Sequence, residues 1–145
     1  MYEKFSKVTT IEKIHSRIDK VKLIIKEKDS SFYNTHCHLF ERLEKPRQRF
    51  IDTIDLKMDD GSTKLVKLFL VQHNLAFGPG QGALKFIKHI GLPKEIERVS
   101  LSDINYIVEK LVLEEVEASA VEKSLYHALH NVKLGGASSA IMLIE

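Results

Sequence analysis

Apolar residues recur at helical spacing near the start of the chain, at Ile11, Ile14, Ile18, Val21 and Ile25. They follow Thr9-x-x-Glu12, where the two side chains can satisfy free N–H groups of a first helical turn. The pattern predicts an amphipathic helix over residues 10–28. Phe32, Leu39, Phe40 and Leu43 predict a second, short helix that stops before Pro46, because proline disfavours helical backbone in the residue ahead of it. From Phe50 the period falls to two. Phe50, Ile54, Leu56 and Met58 face one way, whereas Asp52, Asp55 and Lys57 interrupt the other register, which predicts a strand. Asp59-Asp60-Gly61-Ser62 carries tight-turn chemistry, and Lys64–His73 is apolar enough for the middle of a sheet, so the two strands form a hairpin. Gly78-Pro79-Gly80-Gln81-Gly82 reads as a loop, followed by a short apolar stretch at Ala83–Ile87. Ser100-x-x-Asp103 opens the longest helical pattern, with Ile104, Ile107, Val108 and Leu111 on one face. It continues through Val121 and Leu125, with a break expected near Glu117–Ala120. Ala128–Leu134, Gly135-Gly136 and Ala140–Ile144 read as strand, turn and strand. Interleaved strands and helices predict a layered α/β domain, without internal repeat, low-complexity tract or linker.

Composition narrows the class. A chain of 145 residues with 43% apolar and 29% charged positions is balanced like one globular domain that buries its own core. Cys37 stands alone, so no internal disulfide framework exists and a reducing cytoplasmic setting is the expectation. No basic-plus-apolar leader and no apolar run near the roughly 20 residues of a membrane span is visible, so neither secretion nor membrane insertion is expected. With 22 basic and 20 acidic side chains the net charge is +2, too small to call for nucleic acid or anionic lipid as partner.

The motif candidates are weak taken alone. Gly78–Gly82 lacks the Gly-Lys-Ser/Thr ending of a phosphate loop and reads as a turn beside a pocket. His36-Cys37-His38 and His127-x-x-His130 offer zinc-loving groups, but not at metal-finger spacing, and no metal is expected. Ser138-Ser139 has no nucleophile elbow, and Glu114, Glu115 and Glu117 read as a solvated helix face.

Order is more telling than any single motif. The run RFIDTIDLKMDDGSTKLVKLFLVQHNLAFGPGQGALKF, residues 49–86, resembles the amino-terminal, substrate-side dimerisation domain of the glutamate, leucine, phenylalanine and valine dehydrogenases. In that family a Met-Asp-Asp-Gly-Ser type turn leads to Val-Gln-His-Asn and then Ala-Arg-Gly-Pro-x-Lys-Gly-Gly. Ser100-Leu101-Ser102-Asp103-Ile104 is similar to the family's Thr-Leu-Asp-Glu-Val helix start, and Gly135-Gly136-Ala137 to its Gly-Gly-Ala-Lys-Gly-Gly loop. The resemblance spans most of residues 40–140 and implies a mixed β-sheet flanked by helices. It implies a single dehydrogenase-like domain over 1–145, with a helical segment at 1–45 and an α/β core at 46–145. His73, in the matched Val-Gln-His-Asn run, is expected to be a hydrogen-bonded structural histidine.

The departures from the family pattern bear on chemistry. Gln81 stands where the family lysine grips a substrate carboxylate, and Ser138 where its lysine polarises the reacting centre. An ungapped count back from Gly135 places Tyr126 at the lysine that holds the α-carboxylate, with Lys123 as the alternative if the gap falls differently. Phe77 replaces an arginine and Ala83 the final glycine. Neutral amide, phenol and hydroxyl groups cannot supply the positive field for a dianionic substrate, nor an amine of depressed pKa. No G-x-G-x-x-G turn of a Rossmann domain is present, so no nicotinamide cofactor and no catalytic residue are expected. The expectation is a non-catalytic, glutamate-dehydrogenase-like protein acting in oligomeric assembly or regulation, as a homo-oligomer or with a full-length amino-acid dehydrogenase. The alternative is a module that binds an amino-acid-like or oxo-acid-like molecule at Phe77, Gln81, Tyr126 and Ser138.

Overall fold

A computed structural model describes residues 10–87 and 101–143. Their elements are α1 (Thr10–Lys28), α2 (Ser30–Glu44), β1 (Gln48–Lys57), β2 (Thr63–Asn74), β3 (Gly80–Gln81), β4 (Leu84–Ile87), α3 (Leu101–Leu129) and β5 (Gly135–Leu143). The expected caps at Thr9 and Ser100 lie outside the described residues. Asp29 starts α2 instead of continuing α1: its carboxylate accepts the Phe32 N–H at 2.9 Å, taking up one of the free donors of the new first turn. Lys45 ends α2 with extended backbone (φ −112°, ψ 129°), as the residue before Pro46 should.

β1 and β2 form the expected antiparallel hairpin, in register from Gln48 opposite Gln72 to Lys57 opposite Thr63. Gly61 takes φ +83° in its turn, and Asp60 accepts from both the backbone N–H (2.8 Å) and the hydroxyl (2.6 Å) of Ser62. Those bonds hold the Asp60 carboxyl below its ordinary range. The sheet order is β1-β2-β5-β3, with β4 also on β5. β2 is antiparallel to β5, while β3 and β4 are parallel to it, so the sheet is mixed.

Helix α3 lies between this sheet and the pair α1 and α2. On one side Val112, Val116 and Ala120 meet Phe69, Val71, Ala140 and Met142 of the sheet; on the other, Ala118 and Val121 meet Ile11, Ile14, Ile18 and Phe40. Each such buried large side chain contributes about 1.5–3 kcal/mol relative to exposure. The sandwiching explains a departure from expectation, since α3 runs unbroken through Glu117–Ala120. Val116, Ala118, Ala120 and Val121 are all fully buried, so the polar stripe disappears for a turn and the amphipathic period fades without any break in the helix.

The end of the chain departs from expectation too. Ala128 and Leu129 complete α3 instead of opening a strand, and Asn131 takes left-handed backbone (φ 53°) just beyond the helix. Gly135-Gly136 is not a turn between two strands but the start of a single strand, β5. Gly80–Gln81, within the expected loop, pairs with Gly135–Gly136 as β3.

Candidate functional site

Three of the matched segments, around His73, Gly80–Gly82 and Gly135–Ala137, come together where β2, β3 and β5 pair, beside α3. β2 carries an irregularity at His73, with Gln72 opposite Ala137 and Asn74 opposite Gly136. His73 is 2% exposed; its Nδ1 lies 2.8 Å from Ser124 Oγ on α3 and its Nε2 2.9 Å from the Leu43 carbonyl near the end of α2. A carbonyl only accepts, so Nε2 carries the proton and Nδ1 accepts from the Ser124 hydroxyl. Burial pushes the imidazole below the usual histidine range, opposed by its bond to Leu43. Both ring nitrogens are engaged in joining three elements, the structural role expected of this histidine.

The four residues expected to bind a ligand occupy different settings. Gln81 is exposed on β3 opposite Gly136. Phe77, 46% exposed, sits in the connection between β2 and β3. Tyr126 is exposed on α3, its ring centroid 4.3 Å from that of His130 and 5.8 Å from the Lys123 ammonium. Ser138 is buried on β5, and its hydroxyl donates to the Ala83 carbonyl at 3.3 Å. β3 and β5 thus place Gln81 and Ser138 on adjacent strands, but no hydrogen bond or ring contact joins the four side chains among the described residues. A cavity of about 970 Å³ opens between the ends of α2 and β2, and none of the four lines it.

The retained glycines have a packing explanation. A Cβ on Gly82 would lie 1.4 Å from the Ala137 carbonyl oxygen, and one on Gly136 would lie 2.2 Å from Ser124 Oγ and 2.3 Å from the Ala120 carbonyl oxygen. Only glycine lets β5 come this close to its neighbours. The histidine motifs are occupied otherwise: His36 packs on Phe32 with centroids 4.5 Å apart, and His127 Nδ1 lies 3.0 Å from the Gly135 carbonyl. Among the described residues no three His, Cys, Asp or Glu side chains are grouped to hold a metal ion.

The sheet has a second face, away from α3, whose exposure the sequence pattern did not disclose. Paired residues in adjacent strands share a face, so Phe50, Ile54 and Leu56 of β1 lie with Leu70, Leu68 and the buried Val66 of β2, Ile141 of β5, and Leu84 and Phe86 of β4. Phe50, Ile54, Leu56, Leu70 and Leu84 are all more than a third exposed, and Phe86 is 73% exposed. The alternation in β1 was the available signal, but it does not say which side α3 covers.

A family model described as the Glu/Leu/Phe/Val dehydrogenase dimerisation domain matches residues 46–143. A NAD-specific glutamate dehydrogenase of Clostridioides difficile is 40% identical over 52 residues, 36% of this chain and 12% of that protein. Among solved structures, a glutamate dehydrogenase of Peptoniphilus asaccharolyticus superposes with a TM-score of 0.60 at 19% identity, over 92% of this chain and 26% of that one. Glutamate dehydrogenase 2 of Plasmodium falciparum gives 0.61 at 15%, over 91% and 24%. A hetero-hexameric glutamate dehydrogenase of Thermus thermophilus, in its Leu-bound form, gives 0.50 at 19%, over 78% and 26%. The chain thus spans about a quarter of the length of these structures and shares the fold of that part. With the mixed sheet, the helical layers and the match over residues 46–143, the chain belongs to the Glu/Leu/Phe/Val dehydrogenase family, of which it carries the dimerisation domain.

Proposed function

We propose that this chain is a non-catalytic association module, which forms homo-oligomers or joins a full-length amino-acid dehydrogenase through the apolar sheet face opposite α3. The observation that carries the reading is that face itself. Phe50, Ile54, Leu56, Leu70, Leu84 and Phe86 are exposed on that one face, interspersed with Asp52, Lys64 and Ser139 and with the buried Val66, and this number of exposed apolar side chains on one sheet face supports a docking surface. The family's domain is named for dimerisation, and the Thermus thermophilus relative is a hetero-hexamer, which supports both self-association and mixed assembly.

The non-catalytic part rests on charge. Gln81, Tyr126 and Ser138 are neutral, Lys123 stands 5.8 Å from the Tyr126 ring as the alternative cation at that one position, and the Ser138 hydroxyl is buried against Ala83. Without cations at Gln81 and Ser138 a dicarboxylate substrate loses one carboxylate grip and the group that would polarise its reacting carbon. Light scattering on the purified chain across the micromolar range should give dimers or larger species, and the pair Leu84→Lys and Phe86→Asp should give monomers with unchanged circular dichroism. A wild-type chain that stays monomeric throughout would defeat the association reading. Reduction of either nicotinamide cofactor on adding glutamate would defeat the non-catalytic one.

A further inference from the structure

We propose that the groove between the ends of α2 and β2 binds a small organic dianion, a phosphate monoester or a dicarboxylate, whose charged end meets Arg42, Lys45 and Arg47. Its cavity of about 970 Å³ lies within the range of roughly 300–1,000 Å³ in which small ligands are held. Three cations, Arg42, Lys45 and Arg47, line it against one carboxylate, Glu41, which leaves two positive charges. The formal charge of the entire chain is +2, so an excess of this size is concentrated in one concavity while the remaining surface is balanced.

The three cations are also uncommitted. Nearby Lys22 is held by Asp19 and Glu44, and Arg49 by Glu117. Arg42, Lys45 and Arg47 have no ion-pair partner among the described residues. Arg42 sits in the last turn of α2, and Lys45 and Arg47 flank Pro46. Pro46 fixes its own φ, and the Arg47 N–H is tied to the His73 carbonyl at 3.2 Å, so the backbone that carries Lys45 and Arg47 is fixed at the groove's edge.

A helix C-terminus would ordinarily repel an anion, because its free carbonyls form the negative end of the dipole. Here the Leu43 carbonyl is met by His73 Nε2 at 2.9 Å and the Glu44 carbonyl lies 3.1 Å from His15 Nε2, so imidazoles cover two of those oxygens. Two guanidinium forks suit a bidentate carboxylate or phosphate. Leu39, Pro46 and Leu75 offer an apolar wall for the ligand's carbon portion.

The experiment is a titration of isotopically labelled chain with phenyl phosphate and with phthalate, followed by amide chemical shifts, with benzamide as uncharged control. Saturable shifts confined to residues 39–47 and 73–76, weakened by salt, are expected from at least one dianion. Which dianion binds tells phosphate from dicarboxylate. The double variant R42Q/R47Q should raise Kd about tenfold or more, the equivalent of about 1.4 kcal/mol. Both side chains are exposed, so its fold should persist; if its circular dichroism changes, K45Q replaces it, with Kd again expected to rise. Binding should survive the Leu84→Lys and Phe86→Asp pair, which separates this site from the association face. No saturable shift with either dianion, or unchanged Kd in the arginine variant, overturns the proposal.

Discussion

Replacing His73 with leucine keeps the volume roughly constant and removes both hydrogen bonds that tie β2 to α2 and α3. The Ser124 hydroxyl and the Leu43 carbonyl then lose partners at 2.8 and 2.9 Å. Leaving a buried polar group unsatisfied costs about 1–3 kcal/mol, so two give about 2–6. The upper end is too high, because a helical serine can turn its hydroxyl to the carbonyl four residues back, and Leu43 lines the groove, where water can reach it. About 2–4 kcal/mol is expected, read by urea unfolding at pH 7.5. Adding Ser124→Ala should cost much less in the leucine background than in wild type, since its partner is already gone. The pH dependence is a second test. His73 has a folded pKa below the ordinary value of about 6.5, so its neutral ring is the native form. Above 6.5 that contribution is fully present; as pH falls from about 6.5 toward the folded value, the unfolded chain binds a proton the native state refuses. Stability then declines by at most about 1.4 kcal/mol per pH unit. The chain has seven histidines, so the relevant quantity is the wild-type slope minus the variant slope. Equal slopes between pH 5 and 7.5, or a stability loss under about 0.5 kcal/mol, would refute the assigned role, since the latter is the size of an ordinary surface substitution.

Three further outcomes follow from the same geometry. Gly136→Ala places a methyl group 2.3 Å from the Ala120 carbonyl oxygen, so α3 and β5 must part and the melting temperature should fall, with a cost of about 1–3 kcal/mol or more. Arg49→Met strands the Glu117 carboxylate, whose side chain is only 11% exposed, and should cost about 1–2 kcal/mol, discounted because Arg49 itself is 52% exposed. Adding Glu117→Leu to that variant should recover most of the loss in denaturant midpoint. Introducing lysine at Gln81 and at Ser138 should split by position: Gln81→Lys, on an exposed residue, should leave stability within about 0.5 kcal/mol. Ser138→Lys, at 2% exposure, should destabilise strongly, because it forces an ammonium into a dry strand.

The sequence disclosed elements wherever one periodicity held. The spacing Ile11, Ile14, Ile18 and the two-residue alternation around Ile54 each answer to one buried or shared side, and α1 and β1 follow them closely. It failed where two sides are buried, as at Val116–Val121, because a helix sandwiched between layers loses the polar stripe that marks its phase. It failed again at Gly135-Gly136, where glycine ordinarily signals a turn but here permits contact between a strand and a helix. For the candidate site, the motif order brings the Gln81 and Gly135-Gly136 segments together, since β3 pairs with β5 there. Orientation was not legible: nothing in a one-dimensional match says that Ser138 is buried, or that Arg42 and Arg47, from opposite sides of Pro46, meet in one groove.

The family pattern in this chain separates into two sets of residues under different constraints. Gly82 and Gly136 cannot change without moving backbone, since the atoms a Cβ would strike include carbonyl oxygens of Ala137 and Ala120. His73 cannot change without stranding partners on two helices. These positions persist for as long as the fold does, whatever the protein does with it. Two of the positions compared with lysines are under no such constraint from packing: Gln81 and Tyr126 are exposed, and a neutral side chain there costs the fold little. Ser138 differs, because it is buried and its hydroxyl is bonded to the Ala83 carbonyl. The packing of Gly82, Gly136 and His73 is why these matched motifs weigh heavily for the fold.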